Sequence, residues 1–133
     1  MTQIVDASAV VAALLDDGAD GRWCEEQLWA GELMAPHLLP IEVANIIRRM
    51  EARRTIDASE AAAAVRDLRC LDVDLVPFEA LAYRAWALRA NLTIYDACYV
   101  AAAELCQGRL VTLDRRLASA PGPRCAVVVP PVP

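Results

Sequence analysis

The sequence contains no lysine, a single histidine and no Cys-x-x-Cys pair. Without lysine there is no amine to form a Schiff base or to neutralise a phosphoryl group, and one imidazole cannot make a histidine acid–base pair. His37 lies between Pro36 and Leu38 in an apolar stretch and reads as structural or exposed rather than catalytic. The five cysteines (Cys24, Cys70, Cys98, Cys106, Cys125) form an odd set, several of them among apolar residues where a free thiol acts as a small hydrophobe. None has a histidine at a spacing suited to thiolate chemistry, which also disfavours zinc. No window approaches the ~20 unbroken apolar residues of a membrane helix, so no membrane span is expected. Ala7 to Leu15 is preceded by Asp6 rather than by a basic residue, and reads as mature structure rather than as a signal-peptide core. Reduced thiols and no span together predict a cytoplasmic protein.

What is present is 57% hydrophobic residues in 133, enough for one ordinary core, so a single domain over residues 1–133 is expected. Thirteen arginines against 18 acids give a net charge of −5, a poor overall field for phosphate. Any nucleic-acid contact must therefore be local. Arg48, Arg49, Arg53 and Arg54 form one cluster and Arg115 and Arg116 another. Guanidinium forks suit phosphate, which makes Arg48, Arg49, Arg115 and Arg116 candidate substrate contacts, but such clusters also arise as solvated helix faces.

Gln3 to Asp6 is a short β-type run ending in an acid, and Ala7 to Asp16 reads as a helix opened by Ser8. A helix over Gly21 to Trp29 follows, then a strand within Leu33 to Leu39 broken by Pro36 and Pro40. From Ile41 the residues Val43, Ile46, Ile47 and Met50 form an amphipathic stripe, with Glu42 in the first turn. Further helices are expected over Asp57 to Leu68, capped by Asp57 or Ser59, in the alanine-rich stretch through Trp86, and over Thr93 to Cys106, closed by Gly108. Strands are expected at Val73 to Phe78, Arg109 to Leu113 and Cys125 to Val129. Strands alternating with helices predict an α/β fold with a mostly parallel sheet covered on both faces, whose ligands collect beyond the carboxyl ends of the strands.

Asp6 and Asp114 stand at two such strand ends, and Glu42 and Asp96 open helices that can start at the same edge. Four converging carboxylates repel one another, so they either take up protons or attract a cation. An oxygen-only set matches Mg²⁺ or Mn²⁺, and a divalent ion so held can activate water against a phosphodiester. Each acid also has a plainer reading. Thr93-x-x-Asp96 has the form of a capping box, Glu42 can serve as a first-turn dipole partner, and Asp6 and Asp114 can cap the helices that follow them.

Four segments carry a resemblance: Val5-Asp6-Ala7-Ser8, Pro40-Ile41-Glu42-Val43, Thr93-Ile94-Tyr95-Asp96-Ala97-Cys98-Tyr99, and Leu110-Val111-Thr112-Leu113-Asp114-Arg115-Arg116-Leu117. Their order and spacing resemble PIN-domain ribonucleases of the VapC toxin type over nearly the whole chain. The resemblance implies that Asp6, Glu42, Asp96 and Asp114 bind Mg²⁺ or Mn²⁺ and direct water at RNA, with Ser8 supporting the first acid and Thr112 ordering the last. It also implies a three-layer α/β/α sandwich, a homodimer, and a small antitoxin whose tail enters the active site. Some PIN domains carry a further acid just after the last one, where this chain has Arg115, Arg116 and Leu117; that departure is compatible with a one-metal site completed by substrate phosphate and leaves the number of metals, one or two, open.

Two other functions fit parts of the sequence. An aspartate-based phosphotransfer domain shares the opening strand–helix unit but normally uses a lysine. A non-catalytic partner-binding module would use the acids as caps and expose apolar residues around Trp23, Leu28 and Trp29, although buried core is the commoner fate of such residues.

Overall fold

The computed structural model describes residues 1–133. Five strands, β1 (Thr2–Val5), β2 (Glu32–Pro36), β3 (Asp74–Val76), β4 (Arg109–Val111) and β5 (Val127–Val128), form one sheet in the order β3-β2-β1-β4-β5. Every neighbouring pair is parallel. Seven helices connect and cover them: α1 (Ala7–Leu15), α2 (Ala19–Trp29), α3 (Leu38–Ala52), α4 (Ala58–Arg69), α5 (Phe78–Ala87), α6 (Ile94–Leu105) and α7 (Arg115–Ser119). α1 packs on α2, α3 and α4, while α5 packs on α6, and α6 lies across β1, β2 and β4. The result is the expected three-layer α/β/α sandwich. No helix is long and apolar enough to cross a membrane.

A central parallel strand has no solvent face, and β1 shows this: Gln3, Ile4 and Val5 are all fully buried. Gln3 stays polar because its amide is satisfied, donating to Gln27 and accepting from Arg109 Nε at 3.0 Å. The strand order reverses between β1 and β4, so the switch point of the sheet opens beyond Val5 and Val111. Asp6 and Thr112 are the first residues past those ends.

Local structure departs from the sequence reading at several points, each with a physical cause. Asp6, not Ser8, caps α1, its carboxylate accepting from Ala9 N–H at 3.0 Å. α3 starts at Leu38, so Glu42 sits in the second turn rather than the first. Pro40 does not break the helix because it occupies the first turn, where backbone N–H groups have no intrahelical partner. The third strand ends at Val76, since Pro77 supplies no N–H to a ladder and Phe78 begins α5. Asp57, rather than Ser59, caps α4 and closes a reciprocal box with Glu60.

The end of α6 differs from expectation too. The left-handed position belongs to Gln107 (φ 53°), and Gly108 follows it, donating to Ala103 C=O at 2.9 Å. Gly108 is needed for closeness: a Cβ there would lie 2.7 Å from the Thr2 carbonyl. Because a side chain at a left-handed position is strained, Gln107→Gly should stabilise the protein by about 0.5–1 kcal/mol and raise Tm by roughly 2 °C. Thermal unfolding followed by circular dichroism checks this, and a fall in Tm would show that unfolded-state entropy outweighs the strain.

Candidate active site

Asp6 is the most enclosed acid, only 9% exposed. Ser8 Oγ donates to its Oδ1 at 2.7 Å, Ala9 N–H donates to the same oxygen, and Thr112 Oγ1 donates to Oδ2. A carboxylate offers about four acceptor directions, so one on Oδ2 stays free. Ser8 and Thr112 work in both directions: Ser8 Oγ accepts from Leu113 N–H at 3.1 Å and Thr112 Oγ1 from Asp114 N–H at 3.0 Å. The two hydroxyls thus tie the turn after β4 to the carboxylate after β1. Burial raises the Asp6 pKa above the usual carboxylate value, opposed by the bonds from Ser8, Thr112 and Ala9, with the charge of Asp96 adding to the rise.

Asp96 stands at the third position of α6, where Thr93 Oγ1 accepts its N–H at 3.2 Å. Unlike Glu60 in α4, Asp96 does not complete the reciprocal half of a capping box. Its pKa is raised first by burial and then by the charge of Asp114. Glu42 is half-buried on α3, and Tyr99, fully buried one turn along α6 from Asp96, donates its hydroxyl to Glu42 Oε1 at 2.7 Å. Burial raises the Glu42 pKa, the Tyr99 bond opposes this, and the charges of Asp6 and Asp96 raise it further. Tyr99 itself is held far above the ordinary phenol value by burial and by Glu42. Sequence reading gave Tyr99 no role, although its i+3 spacing from Asp96 places it on the same helix face.

Asp6, Glu42 and Asp96 therefore lie within mutual electrostatic reach, and Asp96 feels Asp114. Asp114 is committed elsewhere. It caps α7, its Oδ1 accepting Arg116 N–H at 3.0 Å, and it pairs with the Arg116 guanidinium at 3.3 Å. No three acid, histidine or cysteine side chains stand close enough to hold one metal ion in this arrangement. The donors are the right chemistry for a hard divalent cation, being carboxylate oxygens alone, and ligation requires Asp114 to turn from Arg116.

The candidate phosphate contacts divide. Arg116 is almost wholly exposed beside Asp114. Arg115 instead donates to the Pro130 carbonyl at 2.7 Å, anchoring the C-terminal strand. Arg48 and Arg49 are exposed on α3, six and seven residues beyond Glu42. His37 is exposed in the turn before α3. All five cysteines are free. Burial pushes the Cys24 thiol up to about 12 and raises Cys98, Cys106 and Cys125, which disfavours thiolate chemistry at these four.

The parallel sheet, its switch point and the acids grouped there define a class of carboxylate-bearing α/β proteins, and comparison with known proteins identifies the family. The PIN domain family model matches residues 4–123. Ribonuclease VapC9 of Mycobacterium tuberculosis is 42% identical over 129 residues, covering 96% of this chain and 98% of that protein. Among solved structures, VapBC2 from Rickettsia felis bound to a promoter DNA fragment matches with a TM-score of 0.69 at 12% identity, covering 97% and 98% of the two chains. Mycobacterium tuberculosis VapC20, a toxin that cleaves the sarcin–ricin loop, matches with a TM-score of 0.65 at 18% identity, covering 88% and 93%. The chain belongs to the PIN-domain family, in its VapC branch.

Proposed function

We propose that this chain is a metal-dependent endoribonuclease, the toxin of a toxin–antitoxin pair, and that residues 1–133 act as one nuclease domain. The observation that carries this reading is the Asp6 carboxylate, buried at the sheet's switch point, ordered by Ser8 and Thr112 and coupled to Asp96 and Glu42. A carboxylate buried among other carboxylates is unfavourable in a structural role, and favourable where a cation offsets the charge. The names of the relatives support ribonuclease activity.

Asp6, Asp96 and Asp114, with Glu42 beside them, would hold Mg²⁺ or Mn²⁺. Such an ion would supply a lowered pKa for a water and would offset charge on the phosphate. Glu42 keeps Oε2 free of Tyr99, and its raised pKa suits it to accept a proton from the attacking water. Thr112 and Ser8 position Asp6, and Arg116 lies where a substrate phosphate could take over its guanidinium from Asp114. Raised carboxylate values also set the sign of a pH effect. An acid whose folded pKa exceeds its unfolded value favours the folded state as it protonates, so metal-free protein should gain stability as pH falls from neutral toward the usual carboxylate range. Tm measured in EDTA across that range checks this; saturating Mg²⁺ should flatten the dependence, and a Tm that falls with pH would contradict it.

The body of an antitoxin would dock in the groove of about 670 Å³ lined by Leu28, Trp29 and Leu71 at the amino edge of the sheet, so a tail reaching the acids would have to cross to the opposite edge. Trp29 is 84% exposed, whereas Trp23 and Leu28 are half-buried against the core. The VapBC2 structure of the Rickettsia neighbour supports such a partner. A homodimer could use the exposed Tyr83 and Trp86 of α5. We place the protein in the cytoplasm, consistent with five free thiols.

The spacing of the acids favours one second reading, a PIN-like module that binds partners without cleaving, since no metal triad is closed as the side chains stand. Incubating the purified protein with structured RNAs in Mg²⁺, Mn²⁺ or EDTA separates the two. Cleavage that needs metal supports the nuclease; intact RNA with every metal, from folded protein, supports the binding module.

A further inference from the structure

The arginines are unevenly placed. Residues 44–69, covering most of α3 and α4, carry six arginines against four acids, whereas the rest of the chain has seven arginines against fourteen. Partnering follows the same division. Of the seven arginines outside this segment, Arg22, Arg84, Arg89, Arg109, Arg115 and Arg116 are each engaged by a carbonyl, carboxylate, amide or aromatic ring of the protein, and Arg124 alone has no side-chain bond, although its charge acts on Glu104. Within it, Arg48 meets only the neutral Asn45 and Arg66 makes a loose 3.8 Å pair with Asp67. The three ion pairs of the structure involve Arg66, Arg84 and Arg116, so Arg49, Arg53, Arg54 and Arg69 are free of any carboxylate. Two of the four local acids, Asp57 and Glu60, are already bonded to each other's backbone. Arg48, Arg66 and Arg69 also line one shallow groove between the two helices.

Helical geometry aligns two members of this patch, Arg49 and Arg53, with the acids. Seven residues advance α3 by about 10 Å and return almost to the same azimuth, so Arg49 stands on the Glu42 stripe two turns along, and Arg53 three turns along. Both are exposed. We propose that the α3–α4 arginines form a phosphate-binding track for RNA, holding the strand beyond the scissile bond while the carboxylates act on the bond itself; this rests on the nuclease reading above. A protein of net charge −5 repels RNA overall, so an unpaired cationic strip leading away from an acidic centre gives the strand a local route to it.

The test is binding of a short labelled single-stranded RNA to the full chain carrying Asp6→Asn, in EDTA, as salt is raised. Adding Arg49→Gln and Arg53→Gln should weaken binding about 20-fold at about 0.1 M salt and lower the slope of log affinity against log salt by about 1.4, about 0.7 for each phosphate no longer neutralised. Arg22→Gln with Arg89→Gln, on other surfaces, should leave the slope unchanged. An unchanged slope in the α3 variant, an equal drop in the control, or no binding by the Asp6→Asn protein overturns the track. Cleavage of the same RNA by wild-type protein in Mg²⁺ is read separately, so loss of the nuclease assignment is distinguished from loss of the track.

Discussion

Asp6→Asn should lower RNA cleavage at least 1,000-fold, roughly 4 kcal/mol of transition-state stabilisation, with little change in fold. Asparagine keeps the shape and can still accept from Ala9 N–H at the head of α1, so the cap survives. What is lost is the negative charge at the switch point, and Thr112, which now donates to Oδ2, meets either a donor or a rearranged amide. Removing one buried like charge also relieves its repulsion with Asp96 and Glu42, so Tm in EDTA should hold or rise slightly. Single-turnover cleavage with thermal unfolding of the same samples decides this. Cleavage retained within about tenfold of wild type would exclude Asp6 from the chemistry.

Tyr99→Phe should weaken Mn²⁺ binding and cleavage by about 10–100-fold, the usual cost of deleting a group that orients a metal-binding carboxylate. Phenylalanine preserves the buried ring, so what changes is the bond at 2.7 Å that fixes Glu42 Oε1. Without that donor, Glu42 loses the interaction that opposes its desolvation, and its carboxylate gains rotamers. Mn²⁺ titration of the metal-free protein followed by electron paramagnetic resonance measures the effect without relying on turnover. Tyr99→Phe should add nothing further in a Glu42→Gln background. An equal loss in both backgrounds would make the hydroxyl's contribution a matter of general stability.

The strand–helix alternation and the placement of Asp6 and Asp96 at the carboxyl edge were legible because hydrophobic runs and acid positions are local features. α6 is marked in the sequence by a stripe of Ile94, Ala97, Cys98, Ala101 and Leu105, yet Ile94 and Leu105 are exposed and Ala97 through Ala103 are all buried. That helix is enclosed by the sheet and α5, so a one-face pattern describes it incompletely. What stayed hidden depended on contacts distant in sequence. The Ser8–Asp6–Thr112 network joins residues more than one hundred positions apart, and Arg115, grouped with Arg116 by adjacency, is diverted to Pro130 by the path of the C-terminal strand. The sequence misleads about the cap of α1 because an acid and a hydroxyl two residues apart are both good caps, and the choice follows from where β1 ends.

Whether carboxylates drawn from the β1–α1 junction, α3, α6 and the β4–α7 turn share one divalent cation is tested most directly by a crystal grown with Mn²⁺ and measured for anomalous scattering. A single strong peak is expected among Asp6, Glu42, Asp96 and Asp114, about 2.1 Å from the carboxylate oxygens that bind it directly, with Asp114 turned away from Arg116. A Mn²⁺ peak elsewhere, or none at saturating concentration with Asp114 still paired to Arg116, would contradict the shared site.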